Sequence, residues 1–121
     1  MIGTNNVAHQ ETPQQTADGV RAIIEYIHAK SPKTKVLLLG IFPRGKEVNH
    51  KHKLQNDKVN AIISSYDQLY PFLTYLDIGK KFLNSDGSIN NELMPDFLHP
   101  NARGYKVWAE AMEATVERLL K

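Results

Sequence analysis

Lys35 to Ile41 reads Lys-Val-Leu-Leu-Leu-Gly-Ile, and this run constrains the fold more than any other segment. A short strand that is apolar without alternation belongs in a parallel sheet covered by helices on both faces. Pro43, Arg44 and Gly45 break the run. A second strand-like segment, Phe72 to Ile78, ends at Asp77-Ile78-Gly79. Helical segments surround these two. From Thr16 to Lys30 the residues Val20, Ile23, Ile24 and Ile27 recur at helical spacing, while Asp18 and Glu25 face elsewhere. Thr12-Pro13 precedes that helix and Ser31-Pro32 ends it. After a polar loop reaching about Lys53, a second helix is expected over Asn56 to Leu69, burying Val59, Ile62, Ile63 and Tyr66. Asp86-Gly87 marks a turn. A last amphipathic helix is expected over Ala102 to Leu120, with Tyr105, Trp108, Met112, Val116 and Leu119 on one face.

Helices alternating with strands give the rhythm of an open α/β sheet, and 121 residues make one domain at most. The strand count is short for that class. Only two complete strands are visible. Met1-Ile2, two apolar residues before a Gly/Asn cluster, read as the last step of a buried strand entering a loop. Three helices on a two-stranded sheet leave unpaired edges and uncovered apolar surface. The expectation is therefore that residues 1–121 form the C-terminal part of one larger domain whose N-terminal strands lie outside the chain. A homo-oligomer formed by pairing the exposed edge of Lys35–Ile41 is the other way to recover burial.

Composition removes several function classes. A formal net charge of +2 is too small to argue for nucleic acid or an anionic membrane surface. The chain has no cysteine, which excludes disulfides, zinc ribbons and thiol catalysis. No apolar run approaches the roughly 20 residues of a membrane span.

Two clusters carry chemistry. Gly3-Thr4-Asn5-Asn6 sits where a parallel strand would end, and sites in open α/β sheets form outside the carboxyl ends of strands. Gly3 lets the backbone turn sharply, and the Asn5 amide can donate to a developing oxyanion. The same cluster also suits a plain turn. In Asp96-Phe97-Leu98-His99-Pro100 a carboxylate and an imidazole stand three residues apart before a helix. There Asp96 can fix the tautomer of His99 and leave its other nitrogen as a base. Local backbone hydrogen bonds from Asp96, with His99 a surface residue, are the alternative. His50-Lys51-His52 suits solvated surface better than a metal or phosphate contact. The Tyr105/Trp108/Met112 stripe reads as core.

Taken in order, Gly-Thr-Asn-Asn, Leu-Leu-Gly-Ile-Phe-Pro-Arg-Gly, Asn-Asp-Lys-Val-Asn, Leu-Asp-Ile-Gly, Asp-Gly-Ser-Ile, Asp-Phe-Leu-His and Gly-Tyr resemble the SGNH (GDSL-type) hydrolases. Within them the chain is most similar to the catalytic subunits of platelet-activating-factor acetylhydrolase Ib and their bacterial relatives. The resemblance covers essentially the whole chain. It implies a three-layer α/β/α, flavodoxin-like fold in which Lys35–Ile41 and Phe72–Ile78 are the fourth and fifth strands. It implies that Asn5 is an oxyanion-hole donor, presented by the turn at Gly3. His99 would be the general base and Asp96 its orienting carboxylate. The substrate would be a small ester, with an acetyl group the best guess, and the chemistry needs no metal or organic cofactor.

One departure is as informative as the match. The family's nucleophile lies in a Gly-Asp-Ser block near the protein's start, and a second oxyanion glycine follows it. Neither is among these residues. The serines available are Ser31, Ser64, Ser65, Ser85 and Ser88, and none follows a buried strand at a strand-to-helix turn. A phosphate or nucleotide binder of the same fold class would need a glycine-rich strand-to-helix loop, and the sequence has none.

Overall fold

A computed structural model describes residues 1–121. Its elements run α1 (Thr4–Ala8), α2 (Pro13–Lys30), β1 (Val36–Leu39), α3 (Lys51–Ile63), β2 (Leu73–Leu76) and α4 (Ala102–Leu120), with short 3-10 turns at Tyr66–Gln68 and Gly79–Phe82. The two strands pair in parallel, Val36 opposite Leu73 and Leu39 opposite Leu76.

Alternation along the strands feeds two apolar cores, one on each face of the sheet. On one face Val36, Leu38, Leu73 and Tyr75 pack with Val20 and Ile24 of α2 and Val59 and Ile63 of α3. On the other, Leu39 and Leu76 pack with Phe42, Phe82, Ile89 and Met94, covered by Val107, Trp108 and Ala111 of α4. Helices on both faces of a parallel sheet make the three-layer α/β/α arrangement expected from the apolar strands.

The sheet stops at two strands, and this shows in its burial. All four residues of β1 are only half-buried. Met1 and Ile2, expected as the end of a strand, are exposed and belong to none. They have no strand beside them to complete the ladder, and β2 occupies the one paired edge of β1. Gly3 instead adopts φ +99° and opens α1, so Asn5 lies in a helical turn rather than a loop. A Cβ on Gly3 would fall 2.6 Å from Ile41 Cδ1, so the turn is pressed against the end of β1.

Helix boundaries moved where side chains cap the backbone. The helix α2 starts at Pro13, earlier than the periodicity indicates, because Thr12 and Gln15 form a capping box around a proline at the first position. The helix α3 begins at Lys51, because the His50 ring accepts from His52 N at 3.1 Å and caps it. It stops at Ile63, where the Ser64 and Ser65 hydroxyls turn back onto Ala61 O and Ile62 O. Tyr66 remains buried, as expected, but in the 3-10 turn that follows. The α4 stripe is less covered than a core stripe would be: Trp108, Met112, Val116 and Leu119 are half-buried and Tyr105 is exposed.

Beyond Leu39 the chain leaves the sheet through an unusual handover. The last ladder bond is Gly40 N to Leu76 O at 3.0 Å. The backbone of the next residue pairs with a side chain on α3: Ile41 N donates to Asn60 Oδ1 at 2.7 Å, and Asn60 Nδ2 donates to Ile41 O at 2.9 Å. One turn earlier on α3, Asn56 Nδ2 donates to Phe42 O at 3.2 Å. Asn56 and Asn60 thus stand in for a strand, satisfying buried groups that would otherwise be orphaned. Asn60→Leu keeps the branched outline and the number of side-chain heavy atoms and leaves Ile41 N–H and C=O unpaired. A loss of about 1–3 kcal/mol for each group is expected in urea unfolding. Lys58→Ala, on the exposed side of the same helix, should stay within about 0.5 kcal/mol.

Candidate active site

Asp96 and His99 lie in the loop that leads into α4. Asp96 Oδ2 meets His99 Nδ1 at 2.6 Å, while its Oδ1 accepts from His99 N at 2.7 Å and Leu98 N at 3.0 Å. The local backbone bonds and the imidazole contact were rival readings of this motif; the loop makes both. The carboxylate is therefore fixed by the backbone before it fixes the ring. Phe97 between them takes φ +58°, a left-handed conformation uncommon outside glycine. It is held there by Phe97 N to Met94 O and Gly45 N to Phe97 O, both at 2.9 Å. Past His99 the loop closes onto α4, where Asn101 caps the helix by accepting from Gly104 N at 2.9 Å. Gly104 has no room for a side chain, since a Cβ would sit 2.5 Å from Leu93 O.

The second cluster arrives from α1. Asn5 and His99 line one open cavity of about 320 Å³, with Thr4, Leu98, Tyr105 and Trp108 in its wall. Gly3 shapes the turn below it without lining it. The neighbouring Asn6 spends its amide on Glu11 at 3.1 Å, whereas Asn5 is exposed and its side chain makes no hydrogen bond, only its carbonyl accepting from His9 N at 3.0 Å. Three of the four candidate residues are thus brought together, Asp96 through its bond to His99. The sequence reading missed Thr4, Leu98, Tyr105 and Trp108. Tyr105 and Trp108 were assigned to the core by their helical spacing. They stack at 5.7 Å, and Trp108 meets Phe42 edge-on at 4.8 Å.

His50 and His52 do not join this cavity. The His50 Nδ1 is engaged as a helix cap. Burial first, and then the charges of Arg44, His50 and Lys51, push the His52 imidazole below its usual range. No group of three or more His, Cys, Asp or Glu residues is placed to hold a metal ion.

With Nδ1 held by a carboxylate, Nε2 is the ring nitrogen left to take a proton, and a nearby amide can donate to a developing negative charge. No serine lines the cavity. The hydroxyls of Ser64 and Ser65 are turned onto carbonyls at the end of α3, and that of Ser88 onto Asp86. The Asp96–His99 pair is also more open than buried triads are: the side chains are 55% and 68% exposed.

A second cavity of about 310 Å³ adjoins the first and shares Thr4, Leu98 and Trp108 with it. It is an apolar groove that follows β1, with Ile23 and Ile27 of α2 along its side.

This architecture is that of the SGNH hydrolase fold. A solved structure described as a candidate platelet activating factor from Streptococcus pneumonia superposes with a TM-score of 0.77 at 21% identity, over 95% of this chain and 56% of that one. The chain belongs to the GDSL-like lipase/acylhydrolase family, whose model matches residues 1–107. Platelet-activating factor acetylhydrolase IB subunit alpha1 of Rattus norvegicus is 34% identical over 119 residues, 98% of this chain and 50% of the relative. Subunit alpha2 of the same organism is 33% identical over 120 residues, 99% of this chain and 51% of the relative. The chain therefore spans about half the length of the curated relatives it matches. No helix is long and apolar enough to cross a membrane.

The Asp96 carboxyl is held down to about 2, by the His99 side chain first, then by His99 N and, more weakly, Leu98 N. Its folded value lies below the roughly 3.9 of a free aspartate, so the loop's stabilisation is complete above that value. It is lost as pH falls through about 2. NMR titration of the Asp96 carboxyl carbon should give a midpoint near the folded value, and His99→Ala should raise it.

Proposed function

We propose that this chain supplies the acid–base and oxyanion side of a serine ester hydrolase, with the nucleophilic serine contributed by residues outside these 121. The observation that carries the reading is the shared cavity: Asn5 and His99, far apart in sequence, line one opening, and Asp96 orients the histidine. In the reaction a serine hydroxyl attacks the ester carbonyl while His99 Nε2 takes its proton. Asp96 holds the ring and stabilises the imidazolium, and the Asn5 amide donates to the tetrahedral oxyanion. His99 then returns the proton to the leaving alkoxide. Water, deprotonated by the same nitrogen, releases the acid. Small acyl groups, acetyl first, are the substrates, and the likeness to platelet-activating factor acetylhydrolase subunits supports that choice.

Three observations support the outside serine. The chain spans about half of its relatives, no serine lines the cavity, and the Asp96–His99 pair is open to solvent. Residues 1–121 are accordingly read as the C-terminal part of one SGNH domain. The purified chain should cleave p-nitrophenyl acetate only at the slow rate of exposed imidazoles, with no saturation. A saturable rate lost in His99→Ala would show that a serine of this chain serves as nucleophile. In a form that carries a family-type Gly-Asp-Ser block upstream, His99→Ala should lower kcat by about a thousandfold or more. Unchanged activity would remove His99 from the mechanism.

A second reading is favoured by the half-buried β1 and its apolar groove: an inactive α/β chain that persists as a homo-oligomer, β1 pairing with β1 of a second copy. Light scattering should then give a mass that rises with concentration. A compact monomer at all concentrations would eliminate it.

A further inference from the structure

Pro43, Arg44 and Gly45 follow the Asn60-paired segment and reach both halves of the cavity. Arg44 Nη1 donates to Thr4 O at 3.1 Å and to Thr4 Oγ1 at 3.0 Å. The next residue, Gly45, donates its N–H to Phe97 O at 2.9 Å, inside the Asp96–His99 loop. Gly45 adopts φ +96°, and a Cβ there would meet His50 Cγ at 2.2 Å, so the loop has little freedom to approach differently. One three-residue segment therefore grips the turn that carries Asn5 and the loop that carries His99.

The grip on the Asn5 side is the one that α1 needs. That helix is five residues long, too short to be stable on its own. Its N-cap is Gly3, which has no side chain to satisfy the first N–H groups and adds conformational freedom. Thr4 is nonetheless buried, at 9% exposure, and its carbonyl and hydroxyl both accept from a guanidinium. Such charge-assisted bonds are stronger than neutral ones. The Asn5 side chain, next in the chain, makes no hydrogen bond, and its carbonyl is tied only within α1, to His9 N, so its place at the cavity depends on how α1 is held at Thr4.

We propose that Arg44 is a positioning residue that holds Asn5 against the His99 cavity through Thr4. The inference deepens the hydrolase reading and rests on it for the role of Asn5, but its test uses no turnover.

The test follows the Asn5 side-chain amide by NMR in the 121-residue chain while His99 is titrated. In the unmodified chain the Asn5 signals should move as the His99 ring gains charge, and His99→Ala should abolish that movement. Arg44→Ala should also abolish it, leaving Asn5 at the position of a free asparagine, while the His99 ring signals still titrate. Arg44→Lys, whose ammonium can donate to both Thr4 oxygens, should restore it at least in part. Because a lysine stem also restores packing, Arg44→Met, which keeps the stem but has no donor, should leave the movement abolished. A folded Arg44→Ala chain in which Asn5 still follows His99 would overturn the proposal. So would Asn5 signals indifferent to His99 in the unmodified chain, or no restoration in Arg44→Lys. Should Arg44→Ala fail to fold, Thr4→Val removes one of the two acceptors and should weaken the coupling. Coupling unchanged in Thr4→Val would overturn the proposal too. Failure of the hydrolase reading would show instead in the ester assays and leave these spectra as they are.

Discussion

The pairing of Ile41 with the Asn60 side chain is the interaction on which the rest of this structure depends. A parallel strand must hand its backbone groups to a neighbour or to water, and Ile41 is buried past the point where β2 can supply a partner. A carboxamide offers one donor and one acceptor at the spacing of a peptide group, so Asn60 completes the ladder from a helix. Three consequences follow. The chain leaves the sheet in a fixed direction, α3 is locked against the sheet, and the Pro43–Gly45 segment is delivered between the two clusters that line the cavity.

The same geometry explains why the cavity forms on so small a sheet. Gly3 packs on Ile41, Thr4 is gripped by Arg44, and the Asp96–His99 loop is tied to Gly45. Each anchor leads back to the carboxyl end of β1, where open α/β sheets place their sites. What the sheet does not provide is cover. β1 is half-buried, Met1 and Ile2 are exposed, and an apolar groove runs beside them to the wall of the cavity. The site residues are held at their backbones while their outer faces stay open. This fits a domain in which other chain segments, from the same polypeptide or a second copy, finish the enclosure.

Much of this was legible in the sequence. The unbroken apolar run to Ile41 indicated a strand covered on both faces, and the two cores on either side of β1 bear that out. The spacing of Asp96 and His99 was enough to suggest their contact, because a tight loop before a helix leaves few alternatives. The family resemblance, carried by segment order, is shown by the match over residues 1–107. The parts that were not legible depend on side chains taking backbone roles. His50 reads as a solvated loop residue but caps α3. Asn56 and Asn60 have poor helix propensity and no apolar character, yet both are buried. Their spacing of four residues, beside Val59 and Ile63 on the same face, was the available signal. Met1-Ile2 carried a strand-like composition, but a strand needs a partner, and composition does not supply one.

Amide hydrogen exchange at Ile41 and Gly45 tests the central claim most directly. Both residues lie outside the strands, so a loop would exchange their N–H groups quickly. The account predicts protection at both comparable to that of the β1 amides paired with β2, because one donates to a buried asparagine and the other to Phe97 O. Exchange at the rate of exposed loops, with β1 still protected, would contradict it and separate the sheet from the cavity it is held to position.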